Sequence, residues 1–184
     1  MRVIAGTARS MPLKTIKGMD TRPTTDKTKE TLFNVLQTDI PDCRFLDLCR
    51  GSGAIAIEAL SRGAAHAVLV EQNAKAAECI KENLIFTKTM ERAEIQKCDV
   101  LTALHRMEGQ KPFDVIFMDP PYDQGLEEQV LEYLVHSTLA DEYTVIVVEA
   151  SLDTDFSYLE GLGYHIYKEK KYKTNQHVFM QKKD

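Results

Sequence analysis

Phe45-Leu-Asp-Leu-Cys-Arg-Gly-Ser-Gly-Ala-Ile-Ala56 opens on an apolar run suited to a buried strand and closes on small apolar residues suited to a helix. Between them, Gly51 and Gly53 permit positive φ, bring backbone close to a ligand and leave helix N–H groups free to hold an anion. The spacing therefore predicts strand, glycine turn and helix, the first unit of a βαβ fold.

The alternation continues outward. Ala67 to Glu71, Ala93 to Cys98, Phe113 to Asp119 and Thr144 to Glu149 read as further strands. Helical stretches fall at Ala54 to Ser61, from an Asn73 cap to about Phe86, near 101–107 and at 126–137. β-Branched and aromatic runs separated by helices predict a doubly wound parallel sheet. The end of the chain differs. Tyr164 to Tyr172, Thr174-Asn175-Gln176 and His177 to Gln181 predict an antiparallel hairpin with its turn at 174–176. Ahead of the sheet, residues 2–16 predict a small basic hairpin or strand pair, and a helix from about Lys27 to Gln37 is expected to be capped by Asp26. The expected organisation is a basic N-terminal hairpin and helix at 1–40 and the βαβ domain at 41–184.

The 184 residues are 43% apolar and 28% charged, a globular composition that argues against disorder and coiled coil. No apolar run approaches the ~18 residues of a membrane span, and the N-terminus lacks the apolar stretch of a signal peptide. Cys43, Cys49, Cys79 and Cys98 form no C-x-x-C pair, so no metal site and a reducing cytoplasm are expected. The net charge of −5 is unevenly spread: residues 1–31 carry +4, 161–184 carry +4 and the middle carries −13. Two basic ends on an acidic body suit a polyanionic partner, although charged termini are also simply well solvated.

The glycine turn satisfies both a dinucleotide string and an S-adenosylmethionine turn. Glu71, some 20 residues past Gly51, stands where a carboxylate grips ribose hydroxyls, with Gln72 beside it. Asp47 would repel a pyrophosphate but can accept hydrogen bonds from the methyl donor's ammonium group. Asp99, with Val100, offers a carboxylate to an adenine amine or, equally, caps the helix that follows. Asp119-Pro120-Pro121-Tyr122 ends a buried strand abruptly, at the sheet edge where ligands bind in such folds. Asp119 and the Pro120 carbonyl can accept both hydrogens of an exocyclic amine, and Tyr122 can stack on its base. Holding both hydrogens turns the nitrogen lone pair away from the ring and toward a methyl donor.

Asp119-Pro-Pro-Tyr122 resembles the (D/N)PP(Y/F/W) motif of amino methyltransferases. With Arg2-Val-Ile-Ala-Gly6, Arg22-Pro-Thr-Thr-Asp26, Lys29-Glu-Thr-Leu-Phe-Asn34 and Glu58-Ala-Leu-Ser-Arg-Gly-Ala64, the chain is similar to the bacterial small-subunit ribosomal RNA guanine-N2 methyltransferase family. The resemblance implies a Rossmann-like, seven-stranded, mostly parallel sheet with a C-terminal antiparallel hairpin and a small basic N-terminal extension. It also implies S-adenosylmethionine as cofactor, bound by Asp47, Gly51, Ser52, Gly53, Glu71, Gln72, Asp99 and Val100. Asp119, Pro120, Pro121 and Tyr122 would then act on the N2 amine of a guanine by in-line displacement. Arg50 departs from the family, which commonly has alanine there. The expected partner is ribosomal RNA or the small ribosomal subunit, met by a monomer with Arg2, Arg9, Lys14, Arg22 and Lys27 on the phosphates. Three alternatives share parts of the pattern. Adenine-N6 or cytosine-N4 DNA methyltransferases use the same tetrapeptide, nicotinamide oxidoreductases the same turn, and a non-catalytic RNA-binding module would need only the basic ends.

Overall fold

A computed structural model describes residues 1–16, 25–48, 51–121 and 124–183. Seven strands form one sheet in the order β3-β2-β1-β4-β5-β7-β6. They are β1 (Arg44–Leu48), β2 (His66–Val70), β3 (Ala93–Gln96), β4 (Val115–Met118), β5 (Val145–Ser151), β6 (Tyr164–Lys171) and β7 (Asn175–Lys182). The first five run parallel, while β7 pairs antiparallel with both β5 and β6. The doubly wound sheet and the final hairpin are thus as the sequence predicts. From β1 the chain builds outward to β2 and β3, then returns to place β4 on β1's other side. That reversal opens a crevice at the carboxyl ends of β1 and β4, where ligands sit in open α/β sheets.

Alternation along each strand makes two cores. Phe45, Leu69, Phe117 and Val147 face α1 (Asp26–Val35), α2 (Ala54–Ser61) and α3 (Ala74–Phe86). Leu46, Val68, Met118 and Val148 face α4 (Val100–Met107), α5 (Leu126–Leu134) and α6 (Leu159–Leu162). Val3, Ala8 and Leu13 of the N-terminal segment are buried in the first core.

Two local expectations are corrected. Thr25, not Asp26, caps α1: its hydroxyl accepts from Thr28 N at 3.1 Å, while Asp26 is the first helical residue and pairs with Arg2 at 3.5 Å. A carboxylate inside the first turn favours the helix dipole without closing it. The N-terminal segment closes as the short hairpin expected: Arg2 bridges Pro12 antiparallel, Val3 N donates to Met11 O at 2.9 Å, Ser10 N to Val3 O at 2.8 Å and Leu13 N to Met1 O at 2.9 Å, while Ile4, Ala5 and Ala8 direct their amides to side chains of α2. In the C-terminal hairpin, Asn175 and Gln176 belong to β7, opposite Ser151 and Ala150. The long β5 supplies them with partners, and the chain reverses earlier, with Tyr172 N donating to Asn175 O at 2.8 Å.

Among the described residues, no helix is long and apolar enough to cross a membrane.

Candidate active site

The glycine turn is set by sterics. Gly53 adopts φ 75° at the start of α2, and a Cβ there would lie 3.1 Å from Leu69 Cδ2 and 3.2 Å from Ile80 Cγ2. Only glycine satisfies both the left-handed backbone and that approach. Gly51 also has positive φ, at 108°. The turn is tied sideways by Glu71, whose Oε1 accepts from Gly51 N at 3.1 Å and whose Oε2 accepts from Asn73 N at 3.0 Å. Ser52 is tied from behind, its carbonyl accepting from Asn83 Nδ2 at 3.0 Å. Asn83 also binds Lys14 through both its backbone N and O, so one buried amide joins the turn to the N-terminal segment.

Asp47, next to last in β1, is 1% exposed. Its Oδ2 accepts from Ala56 N at 3.1 Å, and its Oδ1 has no partner among the described residues. Burial pushes this carboxyl up to about 7, against the pull of the Ala56 N–H, with the Glu71 carboxylate adding to the rise. An orphaned, buried acceptor is costly, and a cationic donor arriving at Oδ1 relieves the cost.

A cavity of about 390 Å³ opens at the carboxyl edge of the sheet. Glu71 and Gln72 after β2, Asp99 and Val100 after β3, and Asp119, Pro120 and Pro121 after β4 all line it. The carboxylates expected on the nucleoside side and the acidic diproline corner therefore face one space. Its apolar walls, Leu48, Met118, Leu101, Leu126 and Val130, suit a planar ring and carry no motif by which sequence could single them out. Asp47, Gly51, Ser52 and Gly53 do not line this cavity; the turn is joined to its wall through Gly51 N, which donates to Glu71. Asp99 does two jobs. It caps α4, accepting from Thr102 N at 2.9 Å and Thr102 Oγ1 at 2.7 Å, which lowers its pKa, and it borders the cavity with lone pairs to spare. Asp119 is half-buried, Pro120 buried.

Of the expected RNA contacts, Arg9 and Lys27 are exposed, Arg2 pairs with Asp26, and Lys14 Nζ pairs with Glu82 at 3.1 Å on the surface. Such exposed pairs are worth little and exchange readily for phosphate. Tyr122, Arg22, Cys49 and Arg50 lie outside the described residues. Among the described residues, no cluster of three or more His, Cys, Asp or Glu is placed to hold a metal ion.

Two polar groups have buried partner sets that the sequence does not announce. Glu58, fully buried in α2, accepts from Ile4 N at 2.8 Å, Ala5 N at 3.1 Å and Arg62 Nε at 2.8 Å, and pairs with buried Lys29 at 3.4 Å. His177, fully buried in β7, meets Glu149 Oε1 at 2.6 Å and Tyr172 OH at 3.0 Å. Neither partner set is near in sequence, apart from Arg62 four residues after Glu58 and Tyr172 five before His177.

The family described as Conserved hypothetical protein 95 matches residues 1–181. The YlbH protein of Bacillus subtilis is 42% identical over 147 residues, covering 79% of this chain and 77% of its own. The ribosomal RNA small subunit methyltransferase D of Haemophilus influenzae is 36% identical over 154 residues, covering 83% of this chain and 80% of its own. The solved structure of the yhhF protein of Escherichia coli superposes with a TM-score of 0.84 at 30% identity, covering 100% of this chain and 98% of that one. With the cavity, the acidic diproline corner and the seven-stranded order in agreement, the chain belongs to the Conserved hypothetical protein 95 family and is a relative of the ribosomal RNA small subunit methyltransferases D.

Proposed function

We propose that this protein is an S-adenosylmethionine-dependent methyltransferase of small-subunit ribosomal RNA that modifies the exocyclic N2 amine of a guanine. The observation that carries the reading is the shared cavity: nucleoside-type carboxylates and the Asp119-Pro120-Pro121 corner line the same space at the reversal point of the sheet. S-adenosylmethionine, when bound, supplies a methyl group activated by its sulfonium. Asp47 Oδ1, buried and unpartnered among the described residues, fits a cationic amino group. Glu71 and Gln72 fit ribose hydroxyls, Asp99 an adenine amine, and Val100 a ring face.

On the acceptor side, Asp119 and the Pro120 carbonyl hold the two hydrogens of the guanine amine, and Pro121 stiffens their approach. As positive charge grows on the nitrogen, the Asp119 carboxylate stabilises it, and the proton released passes to Asp119 or to solvent. Tyr122 is the stacking residue in this reading. Arg2, Arg9, Lys14, Arg22 and Lys27 contact RNA phosphates, and the segment 1–40 acts as the docking unit of the catalytic body 41–184, in a cytoplasmic monomer.

Radiolabelled S-adenosylmethionine offered separately to small ribosomal subunits, naked ribosomal RNA and duplex DNA tests this. Label in subunits or RNA, recovered as N2-methylguanosine on digestion, is the expected result. Label in DNA, or in another nucleoside, defeats the proposal.

A further inference from the structure

We propose that the tip of the β6–β7 hairpin, with Lys170, Lys171 and Lys173, is a second RNA-binding arm that grips backbone phosphates beside the nucleotide being modified; the proposal rests on the ribosomal RNA reading above. Residues 161–184 carry six lysines, and the fold sorts them by edge of the sheet. Lys182 and Lys183, at the amino edge, are spent: Lys182 Nζ donates to Ala140 O at 2.7 Å, and Lys183 pairs with Glu160. Lys168, Lys171 and Lys173 are exposed and Lys170 is half-buried, and the side chains of these four make no ion pair or hydrogen bond among the described residues.

The strand register brings the free lysines to the edge that carries the acidic diproline corner. Met118 in β4 pairs with Val148 in β5, Val148 with Val178 in β7, and Val178 with Glu169 in β6. β6 is antiparallel to β7, which is antiparallel to β5, so β6 crosses this row in the same direction as β4. Asp119, Pro120 and Pro121 follow the row in one strand; Lys170, Lys171 and Lys173 follow it in the other, about three strand spacings (~14 Å) away. The tip is pinned there, with Tyr172 OH on His177 Nδ1 at 3.0 Å and Tyr172 N on Asn175 O at 2.8 Å. It lies on the β5 side of the corner. The N-terminal hairpin lies on the other side, bonded to Glu58 and Ser61 of α2 and Asn83 of α3, the helices that pack over β1, β2 and β3. The two basic ends of the chain therefore flank the corner.

Residues 168–173 hold four lysines and Glu169, a local charge of +3 that suits a polyanion. Of the neighbouring carboxylates, Glu149 is committed to His177 at 2.6 Å, and strand alternation puts Glu169 on the face opposite Lys170. A base swung out of its stack into a pocket leaves backbone on either side of it to be held, and phosphate contacts fix that register without reading sequence. An arm lying on a membrane would need an apolar flank beside its lysines. The tip offers Thr174 and Asn175 instead, and its Tyr172 is turned inward onto His177.

The test compares two variants of the whole protein that lose equal charge. One carries Lys170→Gln, Lys171→Gln and Lys173→Gln at the hairpin tip. The other carries Lys88→Gln, Arg106→Gln and Lys111→Gln, exposed side chains toward the amino edge of the sheet. Binding of small-subunit ribosomal RNA is measured by filter retention across a salt series, where each lost phosphate contact lowers the slope of log affinity against log salt by ~0.7. The tip variant is expected to lose ~1.4–2.1 of that slope and at least ~10-fold in affinity near ~0.1 M salt. Its RNA KM rises by a similar factor, with kcat, S-adenosylmethionine affinity and melting temperature unchanged. The amino-edge variant is expected to stay within ~0.7 of the wild-type slope. An unchanged slope in the tip variant, or equal losses in the two variants, overturns the proposal. So does a tip variant that loses binding to phosphatidylserine vesicles while keeping the wild-type RNA slope. If the tip variant does not fold, Lys173→Gln alone, outside both strands, should lower the slope by ~0.7, and an unchanged slope there overturns the proposal equally. Failure of the methyltransferase reading looks different: the wild type then binds this RNA and transfers no label to it.

Discussion

Glu58 and Asp47 are both buried carboxylates, one inside α2 and the other in the strand before it, and they are treated in opposite ways. Glu58 is saturated. Two backbone amides, Arg62 and Lys29 converge on its oxygens, and Lys29 in turn donates to Arg2 O at 2.6 Å. Asp47 has one bond from Ala56 and an oxygen without a partner among the described residues. A saturated buried charge fastens one chain segment to another; an unsaturated one stores a cost that a ligand can remove. The first is therefore read as structural, the second as binding.

The largest expected effect falls on the saturated site. Glu58→Gln leaves Lys29 and Arg62 without a counter-charge and is expected to destabilise by about 3–5 kcal/mol. Chemical denaturation measures this, and a loss below about 1 kcal/mol would make the network ornamental. Asp119→Ala comes next, with turnover expected to fall roughly 10²–10³-fold at near-normal cofactor affinity. Full activity in that variant removes Asp119 from the mechanism.

Asp47→Asn sharpens the contrast most directly. Cofactor affinity is expected to drop about 10–100-fold, the worth of a charge-assisted hydrogen bond, while the ligand-free protein loses no stability above pH 7. Calorimetric titration beside a melting curve separates the two, and a variant that loses stability while keeping affinity inverts the assignment. The smallest effect is on pH dependence. With its folded pKa raised to about 7, Asp47 binds more protons folded than unfolded between pH ~4 and ~7. Its contribution to ligand-free stability therefore falls as pH rises through that window and stays low above it. Asp47→Asn should flatten that part of the profile; an unchanged slope assigns it to another group.

The N-terminal segment sharpens the lesson about saturation. Gly6 has φ 86°, and a Cβ there would fall 1.9 Å from Ser61 O, so the loop lies directly on the end of α2. Ser61 Oγ donates to Ala5 O at 2.6 Å and accepts from Ala8 N at 2.9 Å. The Ser61 hydroxyl and carbonyl and both Glu58 carboxylate oxygens are engaged by this contact, and Arg2 and Arg9, two of the residues proposed for RNA, are thereby carried on the helix that begins at the glycine turn.

Local signals were legible in the chain itself. The Asn73 cap, the run of Phe45 to Leu48, the glycine turn and the proline stop at 120–121 depend on neighbours within a few residues, so the order of strands and helices and the acidic diproline corner could be read directly. The cap of α1 fell one residue from its expected place because Thr25 and Asp26 both qualify, and the competition was settled by Arg2, 24 residues away, taking the aspartate. What only the tertiary structure decided is which charges are spent. Glu58 in Ala54-Ile-Ala-Ile-Glu-Ala-Leu-Ser61 and Lys29 in α1 look like solvated helix residues until the N-terminal segment, more than 50 residues from Glu58, closes over them. Glu149 and His177, 28 residues apart, meet only because β7 returns antiparallel along β5. Sequence periodicity reports the apolar face of an element. The worth of a polar group depends on its partners, and those are assembled by the fold.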